Sequence, residues 1–430
     1  MQIISSDEFR KKELNNLLNR GKADLSNIYE VVKKIIFDVK EEGDSALLKY
    51  TEKFDKTNLN ISGLKVSAKE IKEAYKNLEK KQIDALKKAA ENIALFHTKQ
   101  LKKEWNMEIT EGVNLGQVIR PLGIVGIYTP GGKGSYPSSL LMCAIPAKVA
   151  GVKKIVVCSP PQKDGNVDSA LLVSADIAGI TEFYKIGGTQ AIAAMAYGTE
   201  TVKKVDKIVG PGNIYVTTAK LQVNKDVAID IPAGPSEVLV IADKSANASY
   251  IASDLLAQAE HDPHSWANLL TTSKELASDV KKEIEKQIQS LSRIEIIKSS
   301  LQKGLIVIVK DIDEAIEISN LIAPEHLQIQ TKFPREILKK IQNAGAIFLG
   351  KYSPVSFGDY SSGLNHVLPT AGYAKFYSGL SSLDFIKTIN FLECNKNGYR
   401  NLKQTTLTIA KMEGFDAHAK AVAIREEKEK

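Results

Sequence analysis

From about residue 117 the sequence alternates short apolar runs with helical segments, and this alternation constrains the fold more than any other feature. GIVGIYTP, KKIVVCSPP, TEFYKIGG and KIVGPG are apolar runs of strand length. The segments LLMCAIPAKVAGV, VDSALLVSADIAG and TQAIAAMAYG between them are typical of helices. Because parallel strands need a long crossover connection, strands that alternate with helices predict a parallel sheet.

A second series of the same kind begins near Ser236. SEVLVIAD, WANLLTTS, GLIVIVKD, HLQIQ and AIFLG are predicted strands, with helical segments between them. Two successive α/β units predict a cleft, and such clefts commonly bind ligands. The dinucleotide fingerprint GxGxxG is absent, and GGKGSYP and GPGNIY are only glycine-rich turns at strand ends. Composition and spacing therefore do not assign a dinucleotide cofactor.

The two ends of the chain differ from this α/β core. The first hundred residues and the last part of the chain have helical patterns. The stretch after Gly350 is irregular and rich in Gly, Ser, Pro and Tyr, and long loops of this kind are often functional. We predict a helical N-terminal region, a first α/β domain, a second α/β domain and a helical tail, at residues 1–110, 111–235, 236–375 and 376–430.

Composition argues against several classes of protein. The net charge of +7 comes from scattered lysines without a basic cluster interleaved with aromatic residues, which argues against a nucleic-acid partner. No apolar run approaches the roughly 20 residues of a membrane span, and the start lacks the apolar core of a signal peptide. Cys143 and Cys158 sit in apolar runs, which is typical of buried, inert thiols. These features predict a soluble cytoplasmic protein.

Gln258 and His261 lie three residues apart in DLLAQAEHDPHS, a predicted helix that Pro263 should end. Residues three apart share a helix face, so the two side chains could hold one metal ion. Imidazole is a common zinc ligand, whereas an amide oxygen is a rarer one. The same pair could instead be a polar cluster that caps the helix.

Glu325 and His326 are adjacent in APEHLQI, at the start of a predicted strand. Adjacent side chains of an extended segment face opposite ways, so both reach one site only if a turn holds them. Histidine, with an unperturbed pKa of about 6.5, is the natural proton acceptor at neutral pH. The alternative is an exposed pair in a loop.

Four further polar residues are distributed over the last part of the chain. Asp359 and His366 belong to the predicted loop FGDYSSGLNHVLPT, where an aspartate beside glycine is also a frequent turn former. Glu413 and His418 lie in MEGFDAHAKAVAIR, where each alone would be a solvated helix residue. His97 lies in a helical segment without a polar constellation near it in sequence and is interpreted as structural. The whole set is consistent with a metal site without establishing one.

A series of segments follows in a fixed order along the chain: YTPGG, GGTQAIAA, VGPGN, AGPSEVLVIAD, LLAQAEHDP, APEHLQI, FGDYSSGLNHVLPT and MEGFDAHAKAVAIR. Together they closely resemble the histidinol dehydrogenase family. The resemblance implies the last step of histidine biosynthesis, in which L-histidinol is oxidised to L-histidine in two NAD-linked steps through an aldehyde held on the enzyme. It also implies an incomplete Rossmann-like fold in two domains, which agrees with the missing fingerprint.

The resemblance further implies the roles of individual residues. Glu325 and His326 match the catalytic acid/base pair. The residues that match the ligands of one Zn²⁺ per subunit are Gln258, His261, Asp359 and His418.

Contacts to the cofactor and the substrate are implied in the same way. Tyr128, Gln190 and Asn213 match the NAD contacts. The positions that match or adjoin substrate contacts are Ser236, Gln258, His261, His326, Asp359, His366, Glu413 and His418.

Members of the family are homodimers, and the residues that match Glu413 and His418 complete the site of the other subunit. The helical tail is therefore expected to cross the dimer. Two alternatives remain open. An alcohol or aldehyde dehydrogenase of broader specificity would also oxidise substrates that lack an imidazole. A catalytically inactive, zinc-stabilised binding protein is the other alternative, and the intact Glu325 and His326 argue against it.

Overall fold

The structure is a computed structural model that describes residues 1–20, 26–131, 135–231 and 234–427. The chain divides into two units. Unit 1 comprises Met1–Gln100 and Gly123–Phe385, and unit 2 comprises Leu101–Leu122 and Ile386–Lys430. Among the described residues, no helix is both long enough and apolar enough to cross a membrane.

Strands occur in both units. In chain order they are β1 (Gln2–Ser5), β2 (Trp105–Thr110), β3 (Val113–Pro121), β4 (Ile124–Tyr128), β5 (Lys154–Ser159), β6 (Glu182–Lys185), β7 (Lys207–Val209), β8 (Ala228–Ile229), β9 (Glu237–Ala242), β10 (Trp266–Thr271), β11 (Leu305–Ile308), β12 (His326–Gln330), β13 (Ala346–Leu349) and β14 (Ile386–Cys394).

Helices surround these strands, and one π-helical turn, Phe9–Glu13, joins the first two. The α-helices are α1 (Ser6–Glu8), α2 (Leu14–Leu18), α3 (Ser26–Glu42), α4 (Asp44–Asp55), α5 (Ala68–Lys76), α6 (Lys80–Thr98), α7 (Pro137–Val149), α8 (Ser169–Ile177), α9 (Gly188–Tyr197), α10 (Ile214–Val223), α11 (Ala248–Ala259), α12 (Lys274–Gln287), α13 (Ile294–Lys303), α14 (Ile312–Ile322), α15 (Pro334–Leu338), α16 (Val355–Tyr360), α17 (Lys396–Met412) and α18 (Asp416–Glu427).

The first predicted α/β series forms a parallel sheet in the order β6-β5-β4-β7-β8. Its inner strands β4 and β5 are mostly apolar because helices pack against the sheet, as in other parallel sheets. The chain builds outward from β4 on one side through β5 and β6, then on the other side through β7 and β8. The order of the strands therefore reverses between β4 and β7, and their carboxyl ends flank the crevice where such sheets bind ligands.

The second series forms a parallel sheet in the order β1-β11-β10-β9-β12-β13. The predicted α/β class with two parallel sheets is thus confirmed. The edge strand β1 was not predicted, since the first 110 residues were interpreted as helical. Gln2–Ser5 is too short to show a periodicity, and it becomes a strand because its backbone pairs with β11, which is distant in sequence.

Helices of the N-terminal region cover the first sheet. Helices α3 and α4 pack on α9, α5 packs on α8, and α6 packs on α7. Helix α5 begins with a capping box in which Ser67 and Glu70 satisfy each other's backbone N–H groups. In α6 the side chain of His97 is buried, and its Nδ1 lies 2.7 Å from Oε1 of Gln100. The structural interpretation of His97 is therefore confirmed.

Unit 2 contains an antiparallel sheet in the order β14-β3-β2, together with α17 and α18, which pack on each other. The predicted helical tail corresponds to α17 and α18, but it also includes β14. This strand was missed because its residues are mostly exposed and show no regular apolar alternation. It forms by pairing along its whole length with β3.

Candidate active site

Glu325 and His326 stand at the amino end of β12, where α14 has just ended. Ala323 takes a left-handed backbone conformation (φ 51°), and this turn, followed by Pro324, leads the chain into the strand. Oε2 of Glu325 lies 3.4 Å from Nδ1 of His326, so the two adjacent side chains do reach one site. Both side chains are buried, which excludes the exposed-loop alternative.

The backbone of Glu237, the first residue of β9, holds both members of this pair. Its N–H donates to Oε2 of Glu325 at 2.7 Å. Its carbonyl oxygen lies 2.8 Å from Nδ1 of His326. Because a carbonyl oxygen only accepts, Nδ1 of His326 carries a hydrogen and donates it.

Asp359 lies on the other side of His326. Its Oδ1 is 3.7 Å from Nε2 of His326. Asp359 was predicted in a loop, whereas the structure places it in the short helix α16. Gly358 permits this helix to lie against β13, since a Cβ at that position would overlap the ring of Phe348.

Burial and charge change the pKa values of the pair. Burial raises the pKa of the Glu325 carboxyl. Burial alone would lower the pKa of His326, but the carboxylates of Glu325 and Asp359 stabilise the imidazolium and raise the pKa to about 9. The Nε2 atom of His326 has no hydrogen-bond partner among the described residues. It is a buried polar atom that a ligand could satisfy.

His366 is half-buried next to this group. Its Nδ1 donates to the backbone carbonyl of Asp359 at 2.9 Å, and its Nε2 lies 3.0 Å from Oγ of Ser139. Burial lowers the pKa of His366, so the ring is neutral and Nε2 accepts from the serine. The charges of His326 and His261 lower the pKa of His366 further, whereas Asp359 raises it.

Helix α11 carries Gln258, and it packs on α16, the helix of Asp359. The side chain of Gln258 is 3% exposed, and its Nε2 has no partner among the described residues. His261 follows the helix end in a turn in which its N–H donates to the carbonyl of Gln258. The helix ends at Ala259, so the two residues share this turn and not the helix face that their spacing predicted.

The donor chemistry of this group fits a metal ion in part. One chain supplies an imidazole, a carboxylate and an amide, from His261, Asp359 and Gln258, and the amide would bind a metal through its oxygen. In the part of the chain that the structure describes, no cluster of three or more His, Cys, Asp or Glu residues is arranged to hold a metal. A complete ligand set for zinc would therefore need another residue.

Two of the predicted site residues lie in unit 2. Glu413 caps the end of α17, and His418 lies in α18 with its ring 5.2 Å from the ring of Phe415. Both side chains are exposed in the single chain. Ser236 lies in unit 1 directly before Glu237, and its carbonyl accepts from the N–H of Trp266 at 3.0 Å.

The predicted cofactor residues lie at the carboxyl edge of the first sheet, on either side of the crevice. Tyr128 ends β4, and its buried hydroxyl accepts from the N–H of Gly188 at 3.0 Å. Burial raises the pKa of Tyr128 to about 12, so its phenol stays neutral. Gly210 (φ 115°) follows β7, and a Cβ there would overlap the Tyr128 carbonyl.

Gln190 and Asn213 occupy the first turns of two helices at the same edge. Gln190 is 1% exposed, and within the described chain neither polar atom of its amide has a partner. Asn213 caps α10, with its Oδ1 accepting from the N–H groups of Tyr215 and Val216. This leaves the Asn213 amide nitrogen as the group that a ligand could contact. The centre of the turn GGKGSYP, residues 132–134, lies outside the described residues.

Two residues of this site were missed by sequence reasoning. Ser139, in the first turn of α7, contacts His366, and Glu237 holds Glu325 and His326. A serine in a helical turn and a glutamate at a strand start carry no signal of their own, because both roles arise from contacts with distant segments. The two thiols predicted as inert, Cys143 and Cys158, are indeed buried, and burial raises their pKa values strongly.

Comparison with known proteins is consistent with this arrangement. Residues 18–426 match the family model of histidinol dehydrogenase. The chain is 50% identical over 420 residues to histidinol dehydrogenase of Methanothermobacter thermautotrophicus, covering 97% of this chain and 98% of the relative. It is 52% identical over 412 residues to that of Caldanaerobacter subterraneus subsp. tengcongensis, covering 96% and 95%. A crystal structure of histidinol dehydrogenase from Elizabethkingia anophelis superposes with a TM-score of 0.94 at 42% identity, covering 100% of this chain and 98% of the other. The chain therefore belongs to the histidinol dehydrogenase family, which is a family of oxidoreductases.

Proposed function

We propose that the chain oxidises L-histidinol to L-histidine in the cytoplasm, as the last step of histidine biosynthesis, with two NAD and one Zn²⁺ per subunit. The observation that carries the proposal is the orientation of His326. Its Nδ1 hydrogen is held by the carbonyl of Glu237, so in the neutral ring the lone pair is on Nε2. Nε2 has no partner in the described chain, and once a cation bound at Asp359 offsets the charge that raises the pKa of the ring, it can take a proton from a substrate hydroxyl.

Each of the two oxidations uses Nε2 of His326 once as the proton acceptor. In the first, His326 takes the hydroxyl proton while a hydride leaves the substrate carbon, which produces the aldehyde. Water then adds to the aldehyde: Glu325 accepts a proton from the water, and His326 gives its proton to the aldehyde oxygen, so Nε2 is free again. In the second oxidation His326 takes a hydroxyl proton of the hydrate as another hydride leaves, and the acid is formed.

Electrostatics supports Glu325 in this role. Burial raises the pKa of its carboxyl, and a proton acceptor works best with a pKa near the working pH. The N–H of Glu237 donates to Oε2 and fixes the orientation of the carboxylate. Glu325 therefore stays next to His326 through both steps.

The substrate would be held by the polar groups around His326. Gln258, His261 and Asp359 of one chain, completed by His418, are the proposed zinc ligands. When bound, zinc would orient the imidazole and amino nitrogens of the substrate and offset the negative charge of Asp359. Ser236, His366 and Glu413 would make the remaining substrate contacts.

Membership of a dehydrogenase family suggests a nicotinamide cofactor, and the first sheet offers a place for it. When bound, NAD would accept the hydrides. Tyr128, Gln190 and Asn213 surround the carboxyl edge where the order of strands reverses, which is the usual ligand crevice of an open α/β sheet. The unsatisfied amide of Gln190 supports a polar ligand there.

A homodimer is part of the proposal. In the single chain, Trp105, Met107 and Ile109, at alternate positions of β2, expose about half of their surface. Apolar groups exposed together on one region commonly mark a protein interface. Glu413 and His418 belong to the same unit and are also exposed, so an interface there would bring them to a second chain.

The deciding experiment is the oxidation of L-histidinol by the purified protein, followed by NADH absorbance. We expect two NADH per histidinol, no free aldehyde, and loss of activity with a chelator that added Zn²⁺ restores. Alcohols without an imidazole serve as the control and should not be oxidised. One NADH per substrate with release of an aldehyde would contradict the two-step proposal.

A further inference from the structure

Arg20 connects the N-terminal arm, defined here as residues 1–20, to the start of β9. Its Nε and Nη2 donate to the two carboxylate oxygens of Glu237 at 2.6 and 2.8 Å. The side chains are 13% and 4% exposed, so this ion pair is largely withdrawn from water. Two parallel N–H···O bonds between a guanidinium and a carboxylate also fix their relative orientation.

The remaining donors of Arg20 reach two other segments. Nη1 donates to the carbonyl of Leu17 at 2.8 Å, within the arm itself. Nη2 also donates to the carbonyl of Ile322 at 3.1 Å. Ile322 is the last residue of α14, three positions before Glu325. The planar guanidinium therefore connects the arm to the end of α14, which leads to Glu325 and His326, and to the start of β9, where Glu237 bonds both of them.

Glu237 transmits this contact to the site. Its Oε1 also accepts from the N–H of Ala371 at 2.9 Å, so its carboxylate is fixed on two sides. Its backbone N–H and carbonyl are the groups that bond Glu325 and His326. A displacement of the Glu237 peptide would therefore move both catalytic side chains at once.

We infer that Arg20 is a positioning residue for the reaction: by pairing with Glu237 it fixes the peptide that aligns Glu325 and His326. The inference rests on the proposed function of that pair. Without Arg20, the Glu237 carboxylate would be a buried charge that lacks its main partner. It would turn toward water or take up a proton, and either change relaxes the start of β9.

The test compares Arg20→Gln with Arg10→Gln. Arg10 lies on the same arm and contacts the same helix, since it pairs with Glu317 and Glu314 of α14, but it does not touch Glu237. Arg20→Gln should lower kcat by about 10- to 100-fold, because small misplacements of reacting groups cost about this much. Arg10→Gln should leave kcat unchanged. Zinc content and the KM values for L-histidinol and NAD should stay within about twofold in both variants.

A double variant tests whether Arg20 acts through Glu237. In Arg20→Gln/Glu237→Gln the buried charge is removed with its partner, so kcat should recover to within about threefold of the unmodified protein. Should Arg20→Gln fail to fold, Arg20→Lys keeps the positive charge but lacks the planar fork, and we expect its kcat to fall by about 3- to 10-fold.

The outcomes distinguish the two proposals. An unmodified protein that does not oxidise L-histidinol would refute the proposed function. An active protein whose Arg20 variants keep full kcat, or whose Arg10→Gln variant loses as much kcat as Arg20→Gln, would overturn the positioning role. A kcat loss that the double variant does not repair would overturn it as well.

Discussion

Nδ1 of His326 donates a hydrogen bond of 2.8 Å to the backbone carbonyl of Glu237. The two residues begin neighbouring parallel strands, so the catalytic pair lies at the amino ends of the second sheet. The predicted cofactor residues lie instead at the carboxyl ends of the first sheet, the usual ligand edge of such folds. Ser139 of α7, the helix that follows β4, bonds His366 and so connects the two regions within unit 1.

Replacing His326 tests the proton acceptor. His326→Ala should lower kcat by about 10² to 10⁴, the usual cost of losing a general base. Its zinc content, measured by plasma mass spectrometry, should stay unchanged, because His326 is not among the proposed ligands. Loss of the metal from this variant would show that His326 has been assigned the wrong role.

Replacing His261 tests the metal site. His261→Ala removes one of the proposed zinc ligands, so zinc content and activity should fall together. His264 offers a matched control, because it lies three residues away, is exposed and contacts Lys303 instead. His264→Ala should keep its zinc. A fully metallated His261→Ala protein would contradict the proposed ligand set.

The sequence predicted those parts of the fold whose signal is local. Each inner strand of the two parallel sheets is a short apolar run between helical segments, because helices bury both of its faces. Strands β1 and β14 carry no such pattern, and each depends on a partner that is distant in the chain. Strands β1 and β2 therefore fell within a region, residues 1–110, that was predicted to be helical.

The site residues also divide into those with a local sequence signal and those that depend on distant contacts. Glu325 and His326 were predicted from their own residue types and from the turn before the strand. Arg20, Glu237 and Ser139 were not, because each acts through a hydrogen bond to a segment far away in sequence. Such contacts become visible only when the chain is folded.

Asp254, one turn before Gln258 in α11, provides a test of pH-dependent stability. Its Oδ2 accepts from the amides of Gln328 and Gln330 at 2.6 and 3.2 Å, and its side chain is 7% exposed. Burial raises its pKa to about 6, above the unfolded value of about 3.9. The folded state therefore binds the proton more tightly, and this group stabilises the fold at low pH. That stabilisation, at most about 3 kcal/mol, is lost as the pH rises from about 4 to 6.

Asp254→Asn cannot ionise and should not show this loss. The unfolding free energy of the unmodified protein should therefore fall relative to that of the variant as the pH rises from about 4 to 6. Above about pH 6 the difference between the two should stay constant. Urea unfolding at several pH values measures the difference. If that difference does not change with pH, the Asp254 carboxyl does not titrate in this range.

The last prediction concerns which chain supplies His418. In the single chain His418 and Glu413 of unit 2 are exposed, while in unit 1 Asp359 lies beside His326 and His366, and the helix of Gln258 packs on the helix of Asp359. If His418 serves the site of the partner, every site of the dimer combines His261 of one chain with His418 of the other. Co-expression of His261→Ala and His418→Ala with two different affinity tags, followed by purification on both tags, yields dimers that contain one chain of each.

With shared sites, one site of such a dimer carries both lesions and the other carries neither, so about half of the unmodified activity should return. If each chain used its own His418, every site would keep one lesion and the mixed dimer would be as inactive as the two parents. Zinc should follow the same rule, with about one tightly bound ion per mixed dimer in the shared case. Dimers that carry both tags but have neither activity nor this zinc would refute the shared site. The two parent homodimers provide the baseline, since each of their sites carries one lesion under either arrangement.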